Sequence, residues 1–128
     1  MIYIDSSVLL ADLFVEAQAP RQTLWEEDLA SSRLLAFEVW TRINARNLIN
    51  SHGDRARGLL ARVNLTEMTE DVLERALEPF PIAVRTLDAL HLATMAYHRG
   101  QGEPVELASY DGRLLAAARA LSIPLAAL

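Results

Sequence analysis

The chain has 128 residues, of which 52% are hydrophobic, a net charge of −5 and no cysteine. One domain with a compact core, spanning residues 1–128, is expected from this length and composition. The lack of cysteine excludes disulfides and thiolate-bound metal sites and favours the cytoplasm, and the negative charge argues against a protein that coats nucleic acid by neutralising phosphates.

In the first half of the chain, short apolar runs alternate with segments of helical period. This alternation indicates an α/β fold with a mostly parallel sheet. Asp5, Ser6 and Ser7 end the first predicted strand and are suitable N-cap residues for the next helix. Gly53 is expected to break a long helix. The elements predicted here are a strand at 2–4, a helix to residue 13 or 14, a helix from Pro20 to Leu29, a strand at 33–36, a helix at 37–50 and a further helix at 54–62.

The second half continues the alternation. Thr69 is expected to cap a helix that Pro79 and Pro81 end, and Thr86 to cap a helix with Asp88 in its first turn. The predicted elements are a strand at 65–68, a helix at 69–77, a helix at 87–97, a strand at 105–108, a helix ending near residue 121 and an edge strand at 123–125. No membrane span is expected, because the most apolar stretch, 114–128, falls short of the roughly 20 residues that a bilayer requires.

Four acidic residues occupy related positions in these elements. Asp5 and Asp111 each follow a predicted strand, whereas Glu38 and Asp88 each open a helix. In open α/β sheets, sites form outside the carboxyl ends of the strands, so the four acids are expected to meet there. Two carboxylates about 4 Å apart repel by roughly 4 kcal/mol at an effective dielectric of 20, so such a cluster takes up protons or binds cations, and oxygen ligands favour Mg²⁺ or Mn²⁺. The alternative for each acid alone is a helix cap or a surface ion pair such as Glu38 with Arg42.

The segments that contain these acids resemble the acidic motifs of the PIN-domain nucleases, specifically the VapC-like toxins of type II toxin–antitoxin systems. The order and spacing of the segments agree with that family, and the resemblance covers nearly the whole chain. Ser122 departs from it, since relatives commonly have glycine before the final strand. The four segments are IYIDSSVLLA (2–11), AFEVWTRI (36–43), RTLDALHLA (85–93) and ASYDGRLLAAA (108–118).

The resemblance implies a three-layer α/β/α PIN-like fold with a sheet of five parallel strands and a Mg²⁺- or Mn²⁺-dependent endoribonuclease activity. It assigns metal binding and catalysis to Asp5, Glu38, Asp88 and Asp111. The metal would activate water for in-line attack on a phosphodiester and leave 5′-phosphate and 3′-hydroxyl ends. Ser109 matches the family's hydroxyl residue two positions before the last acid, which implies an auxiliary role in orienting a metal-binding residue.

The resemblance also implies three partners. These are an RNA substrate, a second copy of the chain in a homodimer, and a cognate antitoxin that lies over the helices near Trp25 and Trp40 and blocks the acidic cleft.

Several further residues have two interpretations. Ser6 and Ser7 are helix caps that can also take an auxiliary role near the acids. Arg42 and Arg46 lie in a locally basic segment and are candidates for binding RNA phosphates, but a solvated helix face fits them equally well. His91 has the spacing of a core residue, which favours a packed histidine, or one that contacts a metal-binding residue, over a metal ligand.

Other kinds of function are less consistent with the sequence. A receiver domain and a haloacid-dehalogenase-like phosphatase both use lysine chemistry, and the chain has no lysine. A metal-free ribonuclease using His91 and His98 would release products with cyclic phosphate ends, and it would still form them in the presence of EDTA. A catalytically degenerate partner-binding module would lose Mn²⁺ binding and retain its partner.

Overall fold

A parallel sheet of four strands forms the centre of this computed structural model, which describes all 128 residues. The strands are β1 (Ile2–Ile4), β2 (Leu29–Ser32), β3 (Val63–Thr66) and β4 (Glu106–Ala108), in the order β3-β2-β1-β4. The helices are α1 (Ser6–Leu13), α2 (Leu34–Ala45), α3 (Ile49–Leu60), α4 (Glu70–Leu77), α5 (Thr86–Gly100) and α6 (Gly112–Ala120), with a short 3-10 helix at Gln22–Glu26. No helix is both long enough and apolar enough to span a membrane.

Strand β1 divides the core into two apolar clusters. Ile2 and Ile4 belong to the cluster formed with α1, α2 and α3. Tyr3 belongs to the cluster formed with α5 and α6. Because successive side chains of a strand point to opposite faces, this division places helices on both sides of the sheet and confirms the α/β architecture.

The prediction of five strands is wrong. The segment predicted as the last strand contributes only one bridge, between Leu107 and Leu125. Leu107 donates to Pro124 O, and Ala126 donates to Leu107 O, both at 2.8 Å. Pro124 has no N–H to donate to a ladder, and Ser122 bends the chain with a φ of 59°, so the pairing does not extend.

The predicted strand at 33–36 is also wrong, because β2 lies earlier and these residues begin α2. The serines at the end of β2 precede the predicted strand, but they belong to the observed one, and long-range bonds keep them buried in the sheet. Ser31 Oγ donates to Ile4 O at 2.6 Å, and Ser32 N donates to the Tyr3 hydroxyl at 3.0 Å. The helix predicted to end at Leu29 is only the short 3-10 helix at Gln22–Glu26, because Leu29 already belongs to β2, where it pairs with Ile2.

The break predicted at Gly53 lies elsewhere. Gly53 is buried inside α3 and does not interrupt it, and an added Cβ would meet the Trp40 ring at an ordinary contact distance of 3.7 Å. The chain instead turns between these helices, where Asn47 has a φ of 55°. Features that depend only on neighbouring residues agree better with the prediction. Thr69 caps α4 as predicted, and its side chain accepts from Val72 N at 3.4 Å.

Candidate active site

The strand order creates a switch point between β1 and β4. The chain first adds β2 and β3 on one side of β1 and then places β4 on the other side. Ligand sites in such sheets form at the carboxyl ends of strands beside the switch point. A cleft of about 570 Å³ lies there, and all four predicted acids line it: Asp5, Glu38, Asp88 and Asp111.

Asp5 is buried at the end of β1 and does not cap its helix. It holds the N-cap position of α1, but its side chain makes no capping hydrogen bond. Its Oδ1 instead accepts from Ser7 Oγ at 2.6 Å. Burial raises the pKa of Asp5 above the ordinary range, while the Ser7 hydrogen bond opposes that rise and the charge of Glu38 adds to it. The carboxylate is therefore available to the cleft and lacks full compensation for its lost hydration.

Ser7 joins the ends of β1 and β4. Its Oγ accepts from Tyr110 N at 2.9 Å and lies 3.4 Å from Ser109 Oγ. Ser109 Oγ in turn accepts from Asp111 N at 2.9 Å. The sequence indicated Ser109 as auxiliary and Ser7 chiefly as a cap, but Ser7 donates directly to Asp5, and hydrogen bonding from Ser109 also opposes the rise in the pKa of Asp5.

Glu38 is held at both carboxylate oxygens. Ser6 Oγ donates to Oε2 at 3.0 Å, and His91 Nε2 lies 2.7 Å from Oε1. His91 is a packed histidine as predicted, with 3% exposure, yet it also contacts the cleft through Glu38. Tyr3 contacts the other ring nitrogen, with its hydroxyl 2.7 Å from Nδ1.

Asp88 and Asp111 each use one oxygen at the start of a helix. Asp88 Oδ2 accepts from Arg85 N at 3.4 Å at the beginning of α5. Asp111 Oδ1 caps α6 by accepting from Arg113 N at 2.9 Å and Leu114 N at 3.4 Å. The second oxygen of each carboxylate has no hydrogen-bond partner in the protein. Each acid therefore caps a helix with one oxygen and leaves the other oxygen free to bind a cation.

Three arginines line the same cleft: Arg42, Arg85 and Arg113. None of them forms an ion pair with the acids, since the ion pairs of the protein involve other arginines. Arg46 does not line the cleft, because its guanidinium lies over the Phe14 ring at 4.5 Å from the centroid. Sequence reasoning missed Arg85 and Arg113, although each is close along the chain to an acid of the cleft.

The donor chemistry of the cleft suits a hard divalent cation, but not one bound by all four acids at once. No three His, Asp or Glu side chains are grouped closely enough to hold one metal ion. Mg²⁺ usually takes one or two protein carboxylates and keeps several waters, so it does not need a closed cage. The buried Asp5 carboxylate, together with the free oxygen of Asp88 or that of Asp111, fits such an open site.

His98 lies away from this cleft. Its Nε2 is 2.7 Å from Thr66 Oγ1, and its Nδ1 is 3.1 Å from Glu103 Oε1. It is not among the residues that line the acidic cleft. The two histidines of α5 therefore do not form the shared site that a metal-free ribonuclease of this kind requires.

Comparison with known proteins identifies the family. The PIN domain model matches residues 2–120. Ribonuclease VapC47 of Mycobacterium tuberculosis is 34% identical over 126 residues, which cover 93% of this chain and 90% of the relative. Ribonuclease VapC35 of the same species is 30% identical, covering 99% of this chain and 96% of the relative.

Solved structures agree on the fold. A toxin–antitoxin complex from Klebsiella pneumoniae superposes with a TM-score of 0.66 at 22% identity, covering 94% of each chain. VapC20 of M. tuberculosis, described as a sarcin–ricin loop cleaving toxin, gives a TM-score of 0.60 at 23% identity, covering 91% of this chain and 95% of that one. With the motif order, the switch-point cleft and these matches in agreement, the chain belongs to the VapC-like group of the PIN-domain family.

Proposed function

We propose that this protein is a divalent-metal-dependent endoribonuclease that acts as a toxin and is inhibited by a cognate antitoxin. The observation that carries the proposal is the Asp5 carboxylate, which is buried at the switch point, free of helix capping and held by Ser7. Three more acids and three arginines line the same cleft. The names of the ribonuclease relatives support RNA as the substrate.

The residues of the cleft divide into two roles in this proposal. Asp5, Asp88 and Asp111 offer oxygens to Mg²⁺ or Mn²⁺, while Glu38 presents a carboxylate fixed by Ser6 and His91. When bound, the cation supplies Lewis-acid activation of water and offsets charge on the leaving oxygen.

The arginines take the second role. Arg42, Arg85 and Arg113 bind RNA phosphates beside the acids, because a guanidinium makes paired, charge-assisted hydrogen bonds to phosphate. The absence of ion pairs between these arginines and the acids leaves their donors available for a ligand.

The proposed partners extend the comparison with relatives. A toxin–antitoxin complex is among the structural neighbours, which supports an antitoxin that covers the cleft. A homodimer and a cytoplasmic location complete the proposal.

The direct test incubates purified protein with total cellular RNA, with Mn²⁺ or with EDTA, and maps the cleaved ends. We expect cleavage only with Mn²⁺, giving 5′-phosphate and 3′-hydroxyl ends. Asp5→Asn should abolish cleavage, whereas the matched control Asp54→Asn should not, because Asp54 is exposed on α3 and pairs only with Arg57.

Two results would contradict the proposal. Cyclic phosphates formed in EDTA would indicate a metal-free ribonuclease. Partner binding without Mn²⁺ binding or cleavage would indicate a degenerate module.

In cells, Asp5→Ala should relieve growth arrest when the protein is expressed alone. Undiminished toxicity of a folded Asp5→Ala protein would count against the assigned site.

A further inference from the structure

A chain of hydrogen bonds connects the interior of the sheet to the acidic cleft. Ser32 N donates to the Tyr3 hydroxyl at 3.0 Å, and this hydroxyl lies 2.7 Å from His91 Nδ1. His91 Nε2 lies 2.7 Å from Glu38 Oε1. Tyr3 and His91 are both buried, so water does not compete for the contact between them. The chain thus links the backbone of β2 to a carboxylate of the cleft.

The Glu38 carboxylate determines which ring nitrogen of His91 carries the proton. An ionised carboxylate only accepts hydrogen bonds, so at 2.7 Å His91 Nε2 is the donor. A proton on Nδ1 alone would place two lone pairs against each other at the Glu38 contact. Tyr3 favours the assigned arrangement, because its hydroxyl can donate to a bare Nδ1.

The result is a glutamate with little freedom left. His91 on α5 holds Oε1, and Ser6 on α1 holds Oε2. A free glutamate side chain samples many rotamers and loses that entropy when it is fixed. Two bonds from two other helices fix Glu38 before any substrate arrives, which is how a preorganised site is supported.

We propose that His91 is a positioning residue for Glu38. Its Nε2–H, aligned by the Tyr3 hydroxyl, holds the carboxylate in the geometry that RNA cleavage requires. The catalytic consequence rests on the proposed function, whereas the donor arrangement exists with or without it. Loss of such an outer hydrogen bond typically lowers metal affinity or activity about 10–100-fold.

Two substitutions of His91 separate positioning from packing. His91→Phe keeps a buried ring without a donor, and His91→Gln keeps an amide N–H that can reach Glu38. On a mapped RNA substrate, we expect His91→Phe to lower kcat about 10–100-fold with KM changed less than about twofold. His91→Gln should recover most of that loss. A folded His91→Phe protein with unchanged kcat would overturn the inference.

A double-mutant cycle shows whether His91 acts through Glu38. In a Glu38→Gln background, His91→Phe should lower kcat by less than about a further twofold, because the two residues act as one unit. A purely structural histidine would cause the same fractional loss in both backgrounds, in parallel with a loss of folded protein measured by circular dichroism. That outcome would refute the positioning role.

An NMR measurement on the unmodified protein decides the donor arrangement without any activity assay. Long-range ¹H–¹⁵N spectra should show a proton on His91 Nε2, and Tyr3→Phe should shift the Nδ1 resonance. A proton on Nδ1 alone would overturn the inference even if RNA is cleaved. If the wild-type protein fails to cleave RNA with Mn²⁺, the proposed function is refuted, and the spectrum alone then decides the arrangement at His91.

Discussion

The two histidines of α5 have nearly the same immediate chemistry and different surroundings. His91 lies between a tyrosine hydroxyl and Glu38, and His98 lies between a threonine hydroxyl and Glu103. The side chain of Glu38 is 18% exposed and that of Glu103 is 44% exposed. Seven residues of helix separate the histidines by roughly 10 Å along the axis, so only one of them reaches the acidic cleft.

This difference shows that a hydroxyl, a histidine and a carboxylate in hydrogen-bond contact do not by themselves make a site. The end of α5 that carries His91 meets the carboxyl ends of β1 and β4, where other acids and arginines converge. The end that carries His98 fastens the helix to β3 and to the loop that follows α5. Position relative to the switch point therefore distinguishes the proposed positioning role of His91 from the structural contacts of His98.

The largest expected effect compares acids at the two ends of α5. Asp88→Asn should reduce RNA cleavage by more than about 100-fold, since loss of a ligand oxygen exceeds the 10–100-fold typical of outer contacts. The amide oxygen can still accept from Arg85 N, so the helix start is retained. Glu103→Gln is the control and should stay within about twofold of wild type. Equal losses from both variants would remove the distinction between the ends.

Arginines inside and outside the cleft sharpen the comparison. Arg42→Ala should raise KM for RNA about 5–10-fold and reduce the slope of log affinity against log salt by about one, as expected for one lost phosphate contact. Arg46→Ala should leave both quantities unchanged, because this side chain packs on Phe14. Binding titrations at several salt concentrations measure the two variants. A larger effect from Arg46→Ala would show that RNA follows a different path.

Asp5 should limit stability in the absence of metal. Its folded-state pKa is raised, chiefly by burial, so the stability present below the unfolded pKa of about 3.9 is lost as pH rises through the folded value. Asp5→Asn does not titrate, so in EDTA it should gain stability over wild type as pH increases, by about 1.4 kcal/mol for each unit of the shift. Urea denaturation between pH 4 and pH 8 measures this gain. A constant difference across that range would contradict the raised pKa.

The smallest expected effect concerns His98. His98→Phe removes its hydrogen bonds to Thr66 and Glu103 and should lower the free energy of unfolding by about 1–2 kcal/mol. The kcat of the folded protein should not change, in contrast to His91→Phe. Urea denaturation and kinetics on the same preparation make the comparison. A fall in kcat matching that of His91→Phe would place both histidines in the mechanism.

The sequence predicts features that depend on neighbouring residues. The strand at 2–4, the helix that follows it and the Thr69 cap all agree with the structure, because strand-to-helix junctions and caps are set by a few adjacent residues. The same junctions bring Asp5 and Asp111 to one cleft at the switch point. The cleft could therefore be anticipated from the order of the elements alone.

Features set by distant contacts are not predictable in this way. The buried serines of β2 depend on Ile4 O and the Tyr3 hydroxyl, more than twenty-five residues earlier, so rules based on neighbouring residues place the strand after these serines. The roles of Ser7 and His91 likewise depend on partners in other elements, Tyr110 and Glu38. The predicted fifth strand does not form, because Pro124 has no backbone N–H to donate. The family resemblance does not take this local feature of the chain into account.

Crystallography of the protein soaked in Mn²⁺ tests the central claim most directly, because the anomalous signal locates the ion. We expect a peak within coordination distance of an Asp5 oxygen, in the cleft between β1 and β4, and no peak there in Asp5→Asn crystals. An empty cleft in a protein that still cleaves RNA, or a manganese ion bound only elsewhere, would contradict the account.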